Sequence, residues 1–256
     1  MVDALLADTH AHMVDSTFDE DRAEVLERAR AAGVAAVISV SESLADAEKN
    51  LELHGRYQEI QPAAGLNPST LDIGKAEEIL GFIRRKRSRL RAIGEVGLDH
   101  WVVKEEAERE LQREIFQRFV DLSLELDLPL NVHSRAAGRH VIEFLLLHNA
   151  KKVQLHAFDG RASYALRAVE AGYFFSIPPS VIRSPQKQKL VRQLPLSCLL
   201  VETDSPVLGP SREERNEPAN VLVSVGAIAE LKDLRREEVI EAVSRNFNKL
   251  YIPGGY

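Results

Sequence analysis

Four of the chain's eight histidines follow directly after short apolar runs, and two further apolar runs lead into acidic residues. Imidazole nitrogens and carboxylate oxygens are the protein ligands that hold divalent cations in sites without sulfur. The pattern therefore predicts a metal-binding site. The segments that carry it are DTHAH (8–12), GEVGLD (94–99), HSR (133–135), HAFD (156–159) and ETDSP (202–206).

The spacing of His10 and His12 supports this prediction, because side chains alternate between the two faces of a strand. Both imidazoles therefore point to the same side and are able to bind one cation. His133 and His156 hold equivalent positions after two later apolar runs. The remaining histidines belong to no such pattern and are interpreted as structural. They are His54, His100, His140 and His148.

Glu95 and Asp204 bring the number of candidate ligands to six. Six are too many for one zinc ion, because structural and catalytic zinc sites are tetrahedral. They suit two divalent ions that share a bridging carboxylate, each with an open position for water or substrate. Two ions roughly 3.5–4 Å apart acidify a water and stabilise the departing oxygen, so hydrolysis is the expected chemistry. Nitrogen and oxygen ligands leave zinc, manganese, iron and magnesium all open.

Eight short apolar runs alternate with amphipathic stretches, which predicts an α/β fold, a (β/α)8 TIM barrel of one domain covering residues 1–256. Catalytic groups of such barrels lie at the C-terminal ends of the strands, where the metal-binding segments fall. An open doubly wound sheet is the alternative, but the chain has neither a G-x-G-x-x-G after the first strand nor a P-loop. The predicted strands are 5–7, 35–40, 60–65, 92–96, 130–132, 153–155, 173–177 and 198–201.

The same alternation places four polar residues inside the barrel, one layer below the candidate ligands. Buried polar groups are costly unless they are hydrogen-bonded. We therefore expect some of them to accept the second ring N–H of a ligand histidine, as metal sites usually require. The alternative is that β-bulges turn some of these side chains elsewhere. The four residues are Asp8, Asn131, Gln154 and Glu202.

Composition limits the partners of the chain. With 33 basic and 39 acidic residues its net charge is −6, so a phosphate ligand needs a local binding site. One cysteine excludes an intramolecular disulfide and a thiolate-rich zinc site. No apolar stretch approaches the roughly 18 residues of a membrane span, and the N-terminal residues lack the pattern of a secretory signal. We therefore expect a cytoplasmic protein, or a nuclear one in a eukaryote, with no membrane and no obligate protein partner.

In this order, the motifs resemble those of the TatD family of metal-dependent deoxyribonucleases, within the amidohydrolase-type barrels. Longer stretches, at 131–139 and 171–196, are most similar to the third TatD-domain-containing subgroup known from animals. The matching segments span nearly the whole chain: DTHAH (8–12), AIGEVGLD (92–99), NVHSR (131–135), LHAFDG (155–160), ETDSP (202–206) and RNEPAN (215–220).

The resemblance implies a cofactor of two divalent ions, with Zn, Mg and Mn as candidates. It implies hydrolysis of DNA phosphodiester bonds, often as a 3′-to-5′ exonuclease, with single-stranded DNA or 3′ ends as the substrate. Asp204 would be the general base or would orient the attacking water, because its carboxylate reaches a metal and that water together. One ion would be held by His10, His12, Glu95 and Asp204, and the other by Glu95, His133 and His156, with Glu95 bridging.

One position departs from the family. Where the family usually has G-x-H-P after the third strand, this chain reads Gly65-Leu66-Asn67-Pro68. Asn67 is able to hydrogen-bond a phosphate oxygen, but it carries no positive charge and shuttles no proton near neutral pH. If the family histidine assists at the phosphate or leaving group, this substitution predicts weaker or altered activity.

Arg135 and Arg183 join Asn67 as candidate substrate-binding residues, because a guanidinium matches phosphate oxygens in fork geometry. Lys187 lies on the same predicted rim as Arg183. A surface ion pair for Arg135 and an exposed helix start for Arg183 are equally good interpretations. The most basic tract, residues 84–91, precedes the fourth strand and is expected at the opposite end of the barrel as a solvated surface.

Three functions stay open at this point. The first is a two-metal deoxyribonuclease with a metal-activated water. The second is a binuclear metal hydrolase of small phosphate or carboxylic esters or amides, which Asn67 and the acidic balance favour. The third is a metal-stabilised scaffold without turnover, which the complete ligand set argues against. Assays of single-stranded DNA beside small esters separate the first two.

Overall fold

The computed structural model describes residues 6–252. The first residue of the first predicted strand and both ends of the predicted domain lie outside these residues. Eight parallel strands form one sheet in sequence order, and each is hydrogen-bonded to the next. The strands are β1 (Leu6–Ala11), β2 (Val34–Ser39), β3 (Ile60–Ala64), β4 (Ala92–Gly97), β5 (Leu130–His133), β6 (Val153–Leu155), β7 (Phe174–Ile177) and β8 (Leu199–Val201).

Helices connect consecutive strands, and two more follow the last strand. Backbone hydrogen bonds from Asp204 to His10 and from His12 to Ser205, each 2.8 Å long, join β1 to the segment after β8. The sheet is therefore a nearly closed barrel, which confirms the predicted (β/α)8 fold. The helices are α1 (Arg22–Ala31), α2 (Leu44–Arg56), α3 (Ile73–Lys86), α4 (Glu106–Leu126), α5 (Gly138–Leu147), α6 (Ala162–Glu170), α7 (Pro185–Gln193), α8 (Val221–Lys232) and α9 (Arg236–Tyr251).

Local sequence explains these elements. The apolar stripe of α4 buries Ile115, Phe119 and Leu122 against the core, at helical spacing. Helix α7 begins where the Ser184 side chain accepts a hydrogen bond from the backbone of Lys187, with proline at the first helical position. No helix within residues 6–252 is long and apolar enough to cross a membrane.

The first strand is longer than predicted. It runs to Ala11 instead of ending at residue 7, because its polar residues are paired inside the barrel. Asp8 Oδ1 accepts a hydrogen bond from the backbone of Thr203 at 2.9 Å, and the Thr9 hydroxyl donates to Val201 O at 3.0 Å. A search for runs of apolar residues does not detect the second half of this strand, since its polar side chains are stabilised by buried hydrogen bonds.

Candidate metal centre

The structure brings all six candidate ligands together at the C-terminal end of the barrel. Each comes from a different strand end except His10 and His12, which share β1 and the residue after it. The side chains of His12 and His133 are 17% exposed, and the other four are almost fully buried. Titratable side chains are rarely collected in this way without a charged partner, because burying them is costly.

Four donor atoms face one another in what we call the first donor group: His10 Nε2, His12 Nε2, Glu95 Oε2 and Asp204 Oδ1. His10 Nε2 lies 3.4 Å from His12 Nε2, 3.7 Å from Glu95 Oε2 and 3.4 Å from Asp204 Oδ1. His12 Nε2 lies 3.5 Å from Glu95 Oε2 and 3.3 Å from Asp204 Oδ1. In a tetrahedral site with bonds of about 2.0–2.1 Å, ligand atoms are about 3.3–3.4 Å apart. The distances of the two imidazole nitrogens from each other and from each carboxylate oxygen are close to this spacing, and His10, His12 and Glu95 form a group that could hold a metal ion.

Three further donor atoms form what we call the second donor group: Glu95 Oε1, His133 Nδ1 and His156 Nε2. Glu95 Oε1 lies 2.6 Å from His133 Nδ1 and 3.0 Å from His156 Nε2, and the two nitrogens are 3.0 Å apart. These are hydrogen-bond distances, so the atoms converge but would move apart by about 0.3–0.7 Å around a tetrahedral ion. Glu95 supplies one oxygen to each donor group.

Two of the ligand rings are held by a hydrogen bond on the nitrogen that faces away from the donor groups. His10 Nδ1 lies 2.8 Å from Asn131 Oδ1, which confirms the expected acceptor one layer below. His133 Nε2 lies 3.1 Å from Asp99 Oδ2. Sequence reasoning did not assign a role to Asp99, although the residue lies in the same GEVGLD segment as Glu95. Such outer contacts orient a ligand ring and set its tautomer.

The other three polar residues of the lower layer bond to other groups of the barrel. Asp8 accepts from Thr203, as described above. Gln154 accepts a 2.6 Å hydrogen bond from the Tyr251 hydroxyl. Glu202 Oε1 accepts from the backbone of Ala157 at 2.7 Å, and its Oε2 lies 4.0 Å from His156 Nδ1. His156 Nδ1 has no hydrogen-bond partner among residues 6–252.

The charges of the cluster depend on one another. Burial acts to raise the pKa of Glu95, but the neighbouring charges of His156 and His133 outweigh it and hold that pKa well below its ordinary value. Hydrogen bonds from His10 and His12 likewise lower the pKa of Asp204 in spite of its burial. Burial disfavours the imidazolium of His10, yet Asp204 and Glu95 raise its pKa to about 10. Without a cation the ionised carboxylates therefore raise the pKa of His10, His12 and His133, whereas burial lowers the pKa of His156 to about 4. A divalent ion would displace the protons of the first three imidazoles on binding.

The backbone conformations of Asp204 and Gly97 help to position the side chains of the cluster. Asp204 has a φ of 56°, in the left-handed region. This conformation costs a residue other than glycine about 1–3 kcal/mol. Its backbone N–H donates to His10 O, so this bend carries the carboxylate to the end of β1. At Gly97 a Cβ atom would lie 2.1 Å from His133 O. Only glycine therefore allows β4 to approach β5 at His133.

The candidate substrate-binding residues each bond to other groups of the protein, and their role in binding substrate stays a prediction. Arg135 is half exposed, and its Nη2 lies 2.8 Å from Asp99 Oδ2. Arg183 donates to Gly209 O at 3.1 Å. Asn67 Nδ2 donates to Glu42 Oε1, and its Oδ1 accepts from the backbone of Ser69 at 2.8 Å.

Lys187 is not exposed on the rim, so its interpretation as a surface contact for nucleic acid was wrong. Its side chain is buried, and Nζ donates to Ala157 O at 2.6 Å. The capped first turn of α7 directs the lysine inward, which a count of basic residues does not predict. His54, interpreted as structural, contacts Ile60 O through Nδ1 at 2.6 Å.

A (β/α)8 barrel with imidazole and carboxylate donors at its C-terminal end is the arrangement of a metal-dependent hydrolase. The model of the family described as TatD related DNase matches residues 7–252. The chain is 45% identical over 258 residues to deoxyribonuclease TATDN3 of Homo sapiens, covering 96% of this chain and 94% of that protein. It is 33% identical over 253 residues to an uncharacterized metal-dependent hydrolase of Methanocaldococcus jannaschii, covering 98% of each.

A solved structure agrees with these relatives. The crystal structure of YjjV, a TatD homologue from Escherichia coli, has a TM-score of 0.88 at 27% identity, covering 97% of this chain and 98% of that one. The chain belongs to the TatD related DNase family, which confirms the resemblance of its motifs. It is a metal-dependent hydrolase of ester bonds, of the deoxyribonuclease type.

Proposed function

We propose that the chain hydrolyses DNA phosphodiester bonds from 3′ ends, with two divalent ions and a metal-activated water. The observation that carries this proposal is the position of Glu95 between the two donor groups. Its Oε2 lies 3.5 Å from His12 Nε2, and its Oε1 lies 2.6 Å from His133 Nδ1. A carboxylate that offers one oxygen to each side is the arrangement that a bridged pair of ions requires.

The donor set fits Zn, Mn or Mg, since it contains nitrogen and oxygen and no sulfur. When bound, the two ions would supply an acidified water and a positive clamp for the scissile phosphate. In this proposal one ion is held by His10, His12, Glu95 and Asp204, and the other by Glu95, His133 and His156.

The protein itself would orient the water and the phosphate. Asp204 Oδ1 belongs to the first donor group, and no hydrogen bond to its Oδ2 is made within residues 6–252. This second oxygen is free to accept a hydrogen bond from the attacking water and to receive its proton. Arg135 bonds to Asp99 through Nε and Nη2, which leaves its Nη1 N–H groups for a phosphate oxygen.

Arg183 and Asn67 are proposed as weaker substrate contacts. Arg183 uses Nε and Nη2 on Gly209 O, so its Nη1 remains for a nucleic-acid backbone. Asn67 Nδ2 already donates to Glu42, a carboxylate, so little positive potential is offered at this position.

The pairing of Asn67 with Glu42 also favours a second candidate function, hydrolysis of small phosphate or carboxylic esters or amides by the same two ions. A carboxylate beside the substrate position would repel a polyanion more than a small ester. The substrate, not the metal chemistry, separates the two candidates.

The test is an assay of the purified, metal-supplemented chain on 5′-labelled single-stranded DNA beside p-nitrophenyl phosphate and p-nitrophenyl acetate. The proposal predicts a ladder of products shortened from the 3′ end, absent in Asp204→Asn. Turnover of a small ester with intact DNA would support the second candidate. Products released by internal cleavage alone would contradict the 3′-end assignment, and no turnover of any substrate would contradict both candidates.

A further inference from the structure

A cavity of about 980 Å³ lies at the N-terminal end of the barrel, away from the donor groups. It is lined by residues just before β4, β5 and β6 and by the last turn of α9. Its volume lies at the upper end of the range of small-molecule sites, about 300–1,000 Å³. We call it the basic cavity.

The basic cavity collects positive charge in a chain whose net charge is −6. Asp127 is the acidic residue in its lining. The cationic side chains that line it are Arg87, Arg89, Arg91, Lys152, Arg245 and Lys249.

Most of this charge has no carboxylate partner in the part of the chain that the structure describes. Lys152 pairs with Asp127 at 2.7 Å, and Arg245 lies 3.7 Å from Glu241. Within residues 6–252, no carboxylate lies within ion-pair distance of the other four cations of the lining. Three of these four donate to neutral oxygens: Arg87 to Leu126 O at 3.0 Å, Arg89 to Leu51 O at 3.2 Å and Arg91 to Gln61 Oε1 at 3.0 Å.

Helix capping accounts for only part of this arrangement. Leu126 ends α4 and Tyr251 ends α9, and Arg87 and Arg91 donate to their carbonyl oxygens. A helix C-terminus carries about half a negative charge, so two ends offset roughly one unit. Four cations with no carboxylate partner among residues 6–252 therefore give the basic cavity a positive lining, which favours an anionic ligand.

The inner wall of the basic cavity is apolar. Leu90, Leu128, Leu250 and the ring of Tyr251 are buried there. Apolar surface beneath cationic side chains suits a ligand with an organic ring and phosphate groups, since guanidinium binds phosphate oxygens bidentately. Lining segments from several elements surround the space, which favours a small molecule over a strand of nucleic acid.

We propose that the basic cavity binds a small organic ligand with two or more phosphate groups, such as a nucleoside diphosphate. This binding is independent of the proposed hydrolysis, because none of the lining residues belongs to a donor group.

The test is calorimetric titration of the full, metal-loaded chain with ADP, AMP and pyrophosphate. We expect ADP to bind more tightly than AMP, with an affinity that falls as salt is added. Each of the substitutions Arg87→Gln and Lys249→Gln is expected to weaken ADP binding by about tenfold. Both side chains are exposed, so the variants are expected to fold. Arg85→Gln is the matched control, because Arg85 lies in the same basic tract but outside the lining.

Several outcomes would overturn the proposal. One is the absence of ADP binding, and another is equal affinity in the wild type and in both lining variants. A third is binding that Asp204→Asn abolishes and Arg87→Gln does not, which would place the ligand at the metal centre. A fourth, measured in Asp204→Asn, is an oligothymidylate that displaces ADP and binds more tightly, which would assign the surface to nucleic acid.

Discussion

The two donor groups share Glu95 but differ in the distances between their donor atoms, and therefore in how much they must rearrange to bind a cation. In the first group the two imidazole nitrogens are 3.3–3.7 Å from each other and from the two carboxylate oxygens, the spacing of ligands around an ion. The donor atoms of the second group are 2.6–3.0 Å apart and bond to one another. We infer that an ion enters the first group with little rearrangement, whereas the second group must open.

The two donor groups also differ in the number of side chains that could bind an ion. The proposed ligand set has four residues in the first group and three in the second, so an ion in the second would keep more positions for water or substrate. The second group is also the one beside Asp99 and Arg135. If both groups hold an ion as proposed, the first would provide tight metal binding and the second would provide access for the substrate.

The largest expected effect is that of Glu95→Ala, because this residue belongs to both donor groups. We expect loss of both ions and a fall in DNA hydrolysis of about a thousandfold or more. Metal content by mass spectrometry and initial rates measure the two effects. His54→Ala is the control and should change neither, since His54 contacts Ile60 O away from the centre. A Glu95→Ala protein with two ions and full rate would remove the bridging role.

His133→Ala tests the asymmetry directly. This change removes one of three ligands from the second group and none from the first, so dialysed protein should retain one ion per chain in place of two. Activity should fall by about a hundredfold, since the remaining ion lacks its partner. The measurement is metal stoichiometry against His12→Ala, which removes a ligand of the first group instead. If His133→Ala loses both ions, the two groups are not separable.

Asn131→Leu tests the support of the first group. It removes the acceptor at His10 Nδ1, and loss of such an outer contact typically lowers metal affinity by about 10–100-fold. Competition with a chromogenic chelator measures this affinity. Asn131→Asp retains an acceptor oxygen and should restore most of the affinity, which separates ring orientation from general destabilisation. Equal affinities in Asn131→Leu and the wild type would mean that the contact does not orient His10.

Arg135→Gln should have the smallest effect. The side chain is 50% exposed and is proposed to contact phosphate, so we expect KM for DNA to rise by about tenfold with little change in kcat. Steady-state kinetics on an oligonucleotide measures this split. An unchanged KM, or a fall confined to kcat, would show that Arg135 acts through Asp99 instead of on the substrate.

Sequence alone determined most of the barrel. Seven of the eight strands lie within one residue of their predicted ends, because a strand buried on both faces is a run of apolar residues whatever surrounds it. It also predicted which imidazole and carboxylate groups lie together, since the C-terminal ends of the strands meet at one end of the barrel. The exception, β1, continues through Asp8, Thr9 and His10. Their hydrogen-bond partners lie far along the chain, on β5, on β8 and in the segment just after β8.

Tertiary structure decided how these groups are used. His10 faces the centre through Nε2 and His133 through Nδ1, because Asn131 and Asp99 hold the opposite nitrogens. His10 and Asn131 are 121 positions apart, so their contact depends on strand register and barrel closure. The surroundings of the basic tract also depend on tertiary contacts. Residues 87–91 form a cavity only because the last turn of α9 packs beside them, and no local pattern encodes that contact.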